Sequence, residues 1–375
     1  MMTALPASAY SSDLHGLVVC MVGPHHPRPG GVTVQVETLS RNLRNEGIDV
    51  RRVDTNVQAF RSSVYSRRLL PFVQLLVVPW RLQRASRGAD LIHVHLASYW
   101  GFYLPMLAIA WAHRWRKTPV VASYHGGAAQ TFFQRQARLI KPFLRHITAL
   151  ITSSQAIGNT LSRAGLKPVI LPNVIDLDQV TPGSARLRPV SATPAPRLLW
   201  IKRFDHTGDP ETMVRAFARV HAQMPAVHLT MIGEGERLTA MQALARELGI
   251  PIDFAGRVSV DQIRAAYVAA DLFVSSSAVD NQPNTLIEAS ASGLPIVATA
   301  VGGVPEMVHD EVDALLTPPG DAGALAAAIL RLLREAGLAE RLGQAALTNA
   351  ERFTWPAVQP QIFEVYKETN RQTGK

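Results

Sequence analysis

The sequence predicts an α/β protein built from two doubly wound parallel-sheet domains with a cleft between them. Three observations carry that prediction. A chain of 375 residues exceeds what one hydrophobic core ordinarily serves. Short β-rich apolar runs alternate with longer helical patterns, and the alternation occurs twice. Between the two series, residues 181–197 hold Pro182, Pro189, Pro194 and Pro196 among scattered Ala, Ser and Thr, without periodicity, and read as a linker.

In the first series, strands are expected at residues 17–22, 48–53, 90–96, 119–124, 149–153 and 168–171. Runs that are apolar on both faces and separated by helices belong to a parallel sheet covered on both sides. The first strand leads into Gly30-Gly31 and then a helix with Leu39 and Leu43 on one face. A glycine pair ahead of a helix lets the backbone approach an anion, which the free N–H groups and the helix dipole favour. Neither this turn nor Gly233-Glu234-Gly235 completes the G-x-G-x-x-G fingerprint, which argues against a nicotinamide site. Residues 69–80 and 99–115 are strongly apolar, but Pro71, Pro79 and Pro105 are expected to break them short of the roughly 20 unbroken residues a membrane span needs. His93 and His95 are expected to divide, one toward the cleft and one into the core, and neither is given a catalytic part. The second series places strands at 197–201, 227–232, 252–255, 272–275 and 295–299, making a second Rossmann-like unit. The amphipathic tail at 355–366 is expected to pack back on the first domain.

Cys20 is the only cysteine, which excludes an intramolecular disulfide and cysteine-based zinc sites. The N-terminus lacks the pattern of a signal peptide, so a cytoplasmic location is expected. Net charge is +9, unevenly shared: residues 1–177 hold 20 Lys+Arg against 7 Asp+Glu, and residues 178–375 hold 18 against 22. A basic half calls for an anionic partner, whether phosphate, nucleic acid or an acidic membrane. No nucleic-acid module is recognisable, so no nucleic-acid partner is expected. Arg61, Arg67, Arg68, Arg81, Arg84 and Arg87 bracket the first apolar stretch, and Arg114, Arg116 and Lys117 close the second, a pattern suited to an anionic membrane surface.

The most informative segment is 275–289, Ser-Ser-Ser-Ala-Val-Asp-Asn-Gln-Pro-Asn-Thr-Leu-Ile-Glu-Ala. Pro283 suits the first position of a helix, so Asn284 and Thr285 would present backbone N–H groups to an anion at its N-terminus. Asp280 in the preceding loop and Glu288 within the helix either hold a sugar hydroxyl and a ribose, or are a dipole-stabilising acid and a solvated helix residue. The residues alone leave both readings open.

The segment resembles the E-x7-E signature of glycosyltransferase family 4, retaining enzymes of the GT-B fold, as Asp280-x7-Glu288. The resemblance extends in order along nearly the whole chain: Gly30-Gly31-Val32, His93-Val94-His95, Ser123-Tyr124-His125-Gly126, Leu171-Pro172-Asn173-Val174-Ile175-Asp176, Ile232-Gly233-Glu234-Gly235, Phe254-Ala255-Gly256 and Val301-Gly302-Gly303-Val304-Pro305-Glu306. It implies an acceptor-side domain at 1–180, the linker at 181–197, a nucleotide-sugar domain at 198–354 and a returning C-terminal helix at 355–375.

Residue roles follow from the same resemblance. Gly30 and Gly31 would lie near the donor diphosphate, Arg203 would pair with its phosphates, and Glu288 would bind the ribose. Asn284 and Thr285 would offer backbone donors, Asp280 would contact the transferred sugar, and His125 would lie beside it on the acceptor side. No metal or cofactor is implied; the donor, a UDP- or GDP-sugar, is a substrate, and the acceptor a glycan or lipid-linked saccharide. Two positions depart from the family. Asp280 replaces the usual Glu, and the Lys that follows the family's Arg is missing after Arg203, leaving Lys202 and His206 as candidates to replace it. Lys202 is expected to face away if its strand continues. Asp176-Leu177-Asp178 matches the metal-binding D-x-D of another glycosyltransferase fold and is read as a chance match. Two other readings share the architecture: a sugar-nucleotide 2-epimerase and a catalytically silent sugar-nucleotide-binding protein. An enzyme of this kind would work in the cytoplasm, peripherally at the inner face of the membrane.

Overall fold

The computed structural model describes residues 14–25, 30–56, 64–175 and 194–372, with the backbone alone for residues 64–71. Arg61 and the Asp176-Leu177-Asp178 triplet, most of the linker, and the side chains of Arg67 and Arg68 lie outside the described residues. The chain divides into two units, Met1–Val174 with Trp355–Lys375, and Ile175–Thr354.

The first unit is a six-stranded, all-parallel sheet in the order β2-β1-β3-β4-β5-β6. Its strands are β1 Val18–Gly23, β2 Asp49–Asp54, β3 Leu91–Leu96, β4 Val120–Tyr124, β5 Ala149–Thr152 and β6 Pro168–Ile170, each within a residue or two of its expected place. Helices α1 Gly31–Asn45, α2 Val64–Ala85, α3 Trp100–Ala112, α4 Ala129–Leu144 and α5 Gln155–Arg163 connect them. On one face Val36, Leu39 and Leu43 of α1 pack with Met21, Val121 and Ile151 of the sheet. Phe102, Met106 and Phe132 from α3 and α4 cover the other face.

The second unit repeats the plan in the order β12-β11-β10-β7-β8-β9, with every pairing parallel. Its strands are β7 Arg197–Ile201, β8 His228–Ile232, β9 Asp253–Gly256, β10 Leu272–Ser275, β11 Ile296–Thr299 and β12 Leu315–Thr317. Its helices are α6 Pro210–Gln223, α7 Leu238–Glu247, α8 Val260–Ala269, α9 Asn284–Ala291, the short α10 Val304–Met307, α11 Ala322–Arg334 and α12 Leu338–Ala350. The edge strand β12 went unread in the sequence. The last helix, α13 Trp355–Arg371, belongs to the first unit, where Val358, Ile362, Phe363 and Tyr366 complete the α1 face of its core.

Three expectations are corrected. Pro71 and Pro79 lie inside the single helix α2, and Pro105 inside α3. A proline removes one backbone donor, a loss that helices packed against each other and a sheet can absorb. Even so, among the described residues no helix is long and apolar enough to cross a membrane. His93 and His95 share one face of β3, as positions two apart on a strand must, and both are buried. Pro283 caps α9 in extended conformation and is not its first helical residue, which makes Asn284 and Thr285 the first two.

Candidate functional site

Each unit gathers its polar groups at the carboxyl ends of its strands, where open α/β sheets bind ligands. In the second unit the strand order reverses between β7 and β10. β7 ends at Ile201, so Lys202 escapes the strand's alternation. Its backbone N–H donates to the Ile232 carbonyl at 3.1 Å, and its ammonium forms an ion pair with the Asp280 carboxylate. Lys202 therefore points into the site, contrary to the expectation for a continuing strand. Asp280 is held from several sides: the Ser277 hydroxyl donates to Oδ2 at 3.4 Å, the Asn281 N–H to Oδ1 at 3.0 Å, and the Gly303 N–H to its carbonyl at 3.2 Å. Gly302 has φ +53 and leaves no room for a side chain, since a Cβ would lie 1.8 Å from the Asp280 carbonyl oxygen.

Arg203 is 77% exposed and donates to Asp205 Oδ2 at 2.8 Å. Burial works to raise the Asp205 carboxyl, but the Thr207 hydroxyl, Arg203 and the backbone N–H groups of Gly208 and Thr207 outweigh it and hold it at about 2. Asp205 is thus an anionic pin for its own loop. His206, on that loop, is exposed.

Glu288 lies one turn into α9, beside Asn284 and Thr285. The Tyr267 hydroxyl donates to Glu288 Oε2 at 2.8 Å. Burial raises the affinity of this carboxyl for a proton, and the Tyr267 bond opposes the rise. Tyr267 was not singled out in the sequence, where a tyrosine on an amphipathic helix looks like core.

In the first unit the order reverses between β1 and β3. Gly30 caps α1 with φ 147 and ψ 150, a conformation that side chains avoid, and the space its Cβ would enter is empty for 4 Å. Gly31 opens the helix. Beyond β4, His125 stacks on His95 with ring centroids 5.2 Å apart, and His95 stacks on His93 at 4.8 Å. His125 Nε2 and His95 Nδ1 lie 3.0 Å apart, within hydrogen-bonding distance. His93 bonds the Tyr366 hydroxyl at 2.6 Å and the Ser123 hydroxyl at 2.7 Å. Burial holds His93 down to about 3, with His125 adding to the effect, and holds His125 down to about 4. It likewise pushes His95 well below its usual value, so the column is neutral at pH 7. The buried His95 Nε2 has no partner among the described residues and lines a water-sized cavity of about 30 Å³ with Ser123, His125, Thr152 and Asn173.

Among the described residues, no group of three or more His, Cys, Asp or Glu is placed to hold a metal ion. The buried Cys20 thiol is pushed up to about 12 and is inert.

Two parallel units with polar clusters at their strand ends define a class of two-domain enzymes, and similarity to known proteins narrows it. The family profile described as Glycosyltransferase Family 4 matches residues 29–179, and that described as Glycosyl transferases group 1 matches residues 195–335. The chain belongs to this glycosyltransferase family. It is 34% identical over 170 residues to a D-inositol 3-phosphate glycosyltransferase of Salinispora arenicola, covering 42% of this chain and 38% of the relative. The chain thus spans well under half the length of that curated relative. It is 26% identical over 365 residues to a phosphatidyl-myo-inositol mannosyltransferase of Mycobacterium leprae, covering 90% of this chain and 93% of the relative. Among solved structures it is similar to Anabaena HepE in complex with UDP and glucose, with a TM-score of 0.72, 19% identity, and coverage of 94% and 100%. The fold is GT-B-like, with two six-stranded parallel α/β sheets.

Proposed function

We propose that the protein is a retaining, metal-independent glycosyltransferase that moves a sugar from a nucleoside-diphosphate sugar to a hydroxyl of a glycan or lipid-linked acceptor. The observation that carries this reading is the Lys202–Asp280 ion pair at the strand reversal of the second unit, with Glu288 held by Tyr267 on the helix that follows β10, in a chain of this family. The leaving group is a nucleoside diphosphate, so catalysis amounts largely to stabilising developing phosphate charge with fixed donors and cations. Arg203 is exposed and, among the described residues, pairs with Asp205 two positions on, and it supplies one cation. Lys202 supplies the second, in place of the family's missing Lys, because it already sits against Asp280 whereas His206 is a loop residue on the surface.

The first turn of α9 brings the N–H groups of Asn284 and Thr285 to the donor, with Gly30 and Gly31 near its diphosphate. Asp280 takes the transferred sugar, Glu288 the ribose, and His125 the acceptor side of the sugar. The donor base favoured is uracil, as in the ligand of HepE, with guanine as the alternative. Similarity to a D-inositol 3-phosphate glycosyltransferase and to a phosphatidyl-myo-inositol mannosyltransferase favours an acceptor that carries a phosphate or a lipid.

The work would be done at the cytoplasmic face of a membrane. Phe72, Leu76 and Trp80 recur at four-residue intervals on α2 and stand exposed at 68%, 76% and 59%. Arg81, Arg84 and Arg87 follow them, and Trp115 stands exposed beside Arg114, Arg116 and Lys117. An apolar ridge fringed by cations suits an anionic lipid surface.

The direct test incubates the protein with UDP- and GDP-sugars and follows nucleotide release, with and without membrane extracts, in EDTA. Release from one donor, stimulated by extract and insensitive to EDTA, is expected. Complete loss on chelation, restored by Mn²⁺, would overturn the metal-independent reading, and interconversion of the donor sugar without transfer would identify an epimerase.

A further inference from the structure

We infer that Tyr267 is a positioning residue for the donor: its hydroxyl holds the Glu288 carboxylate in the orientation that receives the nucleotide ribose. The inference rests on the assignment of Glu288 above and deepens it.

Tyr267 lies on α8, is 2% exposed, and packs in the core between α8 and α9 with Phe273, Leu286 and Ala289. Its ring is therefore fixed. Its hydroxyl reaches two acceptors, Glu288 Oε2 at 2.8 Å and the Thr285 carbonyl at 3.1 Å. Thr285 belongs to the helical turn whose N–H groups face the donor, so one phenol ties that turn to the ribose carboxylate.

A carboxylate has about four lone-pair sites. Tyr267 occupies one on Oε2, which leaves Oε1 and the rest of Oε2 to accept from the two hydroxyls of a ribose. Without the phenol, the glutamate side chain regains rotamers that binding must then freeze. Protonation of Glu288 would turn one acceptor into a donor and break the match with a diol. Of the ionisable groups on the surrounding elements, Asp261, Arg264 and Tyr267 on α8 and Glu340 and Arg341 on α12, Tyr267 is the one that shifts Glu288, and it shifts it toward the anion.

The test measures the affinities of UDP and GDP by calorimetry from about pH 4 to about pH 8, a range that runs upward from the ordinary glutamate value of about 4.3. The proteins are wild type, Tyr267→Phe, Glu288→Gln and the double variant. Tyr267→Phe is expected to weaken nucleotide binding about tenfold, the size of one hydrogen bond at its upper range. It should also move the acid limb of binding to higher pH, because the anion loses its donor. In the Glu288→Gln background the limb should be absent and Tyr267→Phe should change nothing further. Fluorotyrosine at position 267 keeps the packing and strengthens donation, so it should move the limb the opposite way; it serves if Tyr267→Phe does not fold. Wild-type affinity and pH profile in Tyr267→Phe, or an equal weakening in the Glu288→Gln background, would overturn the inference and leave the donor site standing. A wild-type protein that binds neither nucleotide would overturn the donor reading itself.

Discussion

The two units hold their candidate groups by opposite electrical means. In the second unit the groups are ions pinned by ions: Lys202 against Asp280, and Arg203 against Asp205. In the first, which belongs to the basic half of the chain, the centre is a column of neutral histidines. Among the described residues none of its Lys or Arg side chains is buried, and desolvation keeps charge out of its core. The unit expected to hold a diphosphate needs charges of fixed position. The unit proposed to lie beside the acceptor needs polar groups that do not compete for the same anion.

The largest expected effect breaks the charged side of the comparison. Arg203→Ala and Lys202→Met should each lower kcat/KM by about 10² to 10³, the loss typical of one donor to a developing anion. They should also weaken binding of the nucleoside diphosphate measured by calorimetry. Unchanged affinity in both variants would show that the ion pairs only brace the loops.

On the neutral side, His125→Ala should lower transfer, by less than the loss of either cation, while sparing nucleotide binding, since His125 belongs to the other unit. The product should keep the anomeric configuration of the donor. An inverted centre in its NMR spectrum would refute the retaining assignment.

A third prediction concerns stability. The histidines of the column have folded-state affinities for protons far below their unfolded ones. Below about pH 6.5 the unfolded chain binds protons that the native state refuses, so stability is fully present above that pH and falls as pH drops toward 4. Each histidine that stays neutral contributes a slope of about 1.4 kcal/mol per pH unit. Denaturant titrations between about pH 7 and about pH 4.5 should show this decline, and His93→Gln should flatten it. A stability that is level across the interval would mean that the column admits protons.

The sequence made the second unit's site more legible than the first's. Asp280, Asn284, Thr285 and Glu288 fall within nine consecutive residues. A loop followed by a helix start is local, so spacing could set Asn284 and Thr285 at the helix start, while the roles of all four came from the family resemblance. Lys202 was mis-aimed because its direction depended on where β7 stops, and strand ends are not written in an apolar run. The histidine column depends on the register of β3 with β4 and on Tyr366 from a helix 273 residues away in sequence. No local pattern carries such pairings. Tyr267 was passed over for a related reason: its ring is core, and only its hydroxyl marks it. Among the described residues, eleven of the twelve strands were legible, including β2 and β9, whose polar residues interrupt the apolar run.

The smallest expected effect sharpens what the surplus cations of the first half are for. Each Lys or Arg near an anionic surface adds about 1 kcal/mol, so Arg81, Arg84 and Arg87 together should make a large share of the attraction. This electrostatic part fades as salt shortens the Debye length, whereas insertion of Phe72, Leu76 and Trp80 into lipid does not. Flotation with phosphatidylserine vesicles separates the two. Replacing the three arginines by Glu should abolish binding at low salt, and Trp80→Ser should remove the salt-resistant remainder. No binding to anionic vesicles at low ionic strength would return the arginines to an ordinary solvated surface. The acceptor would then have to be one that reaches the protein in solution.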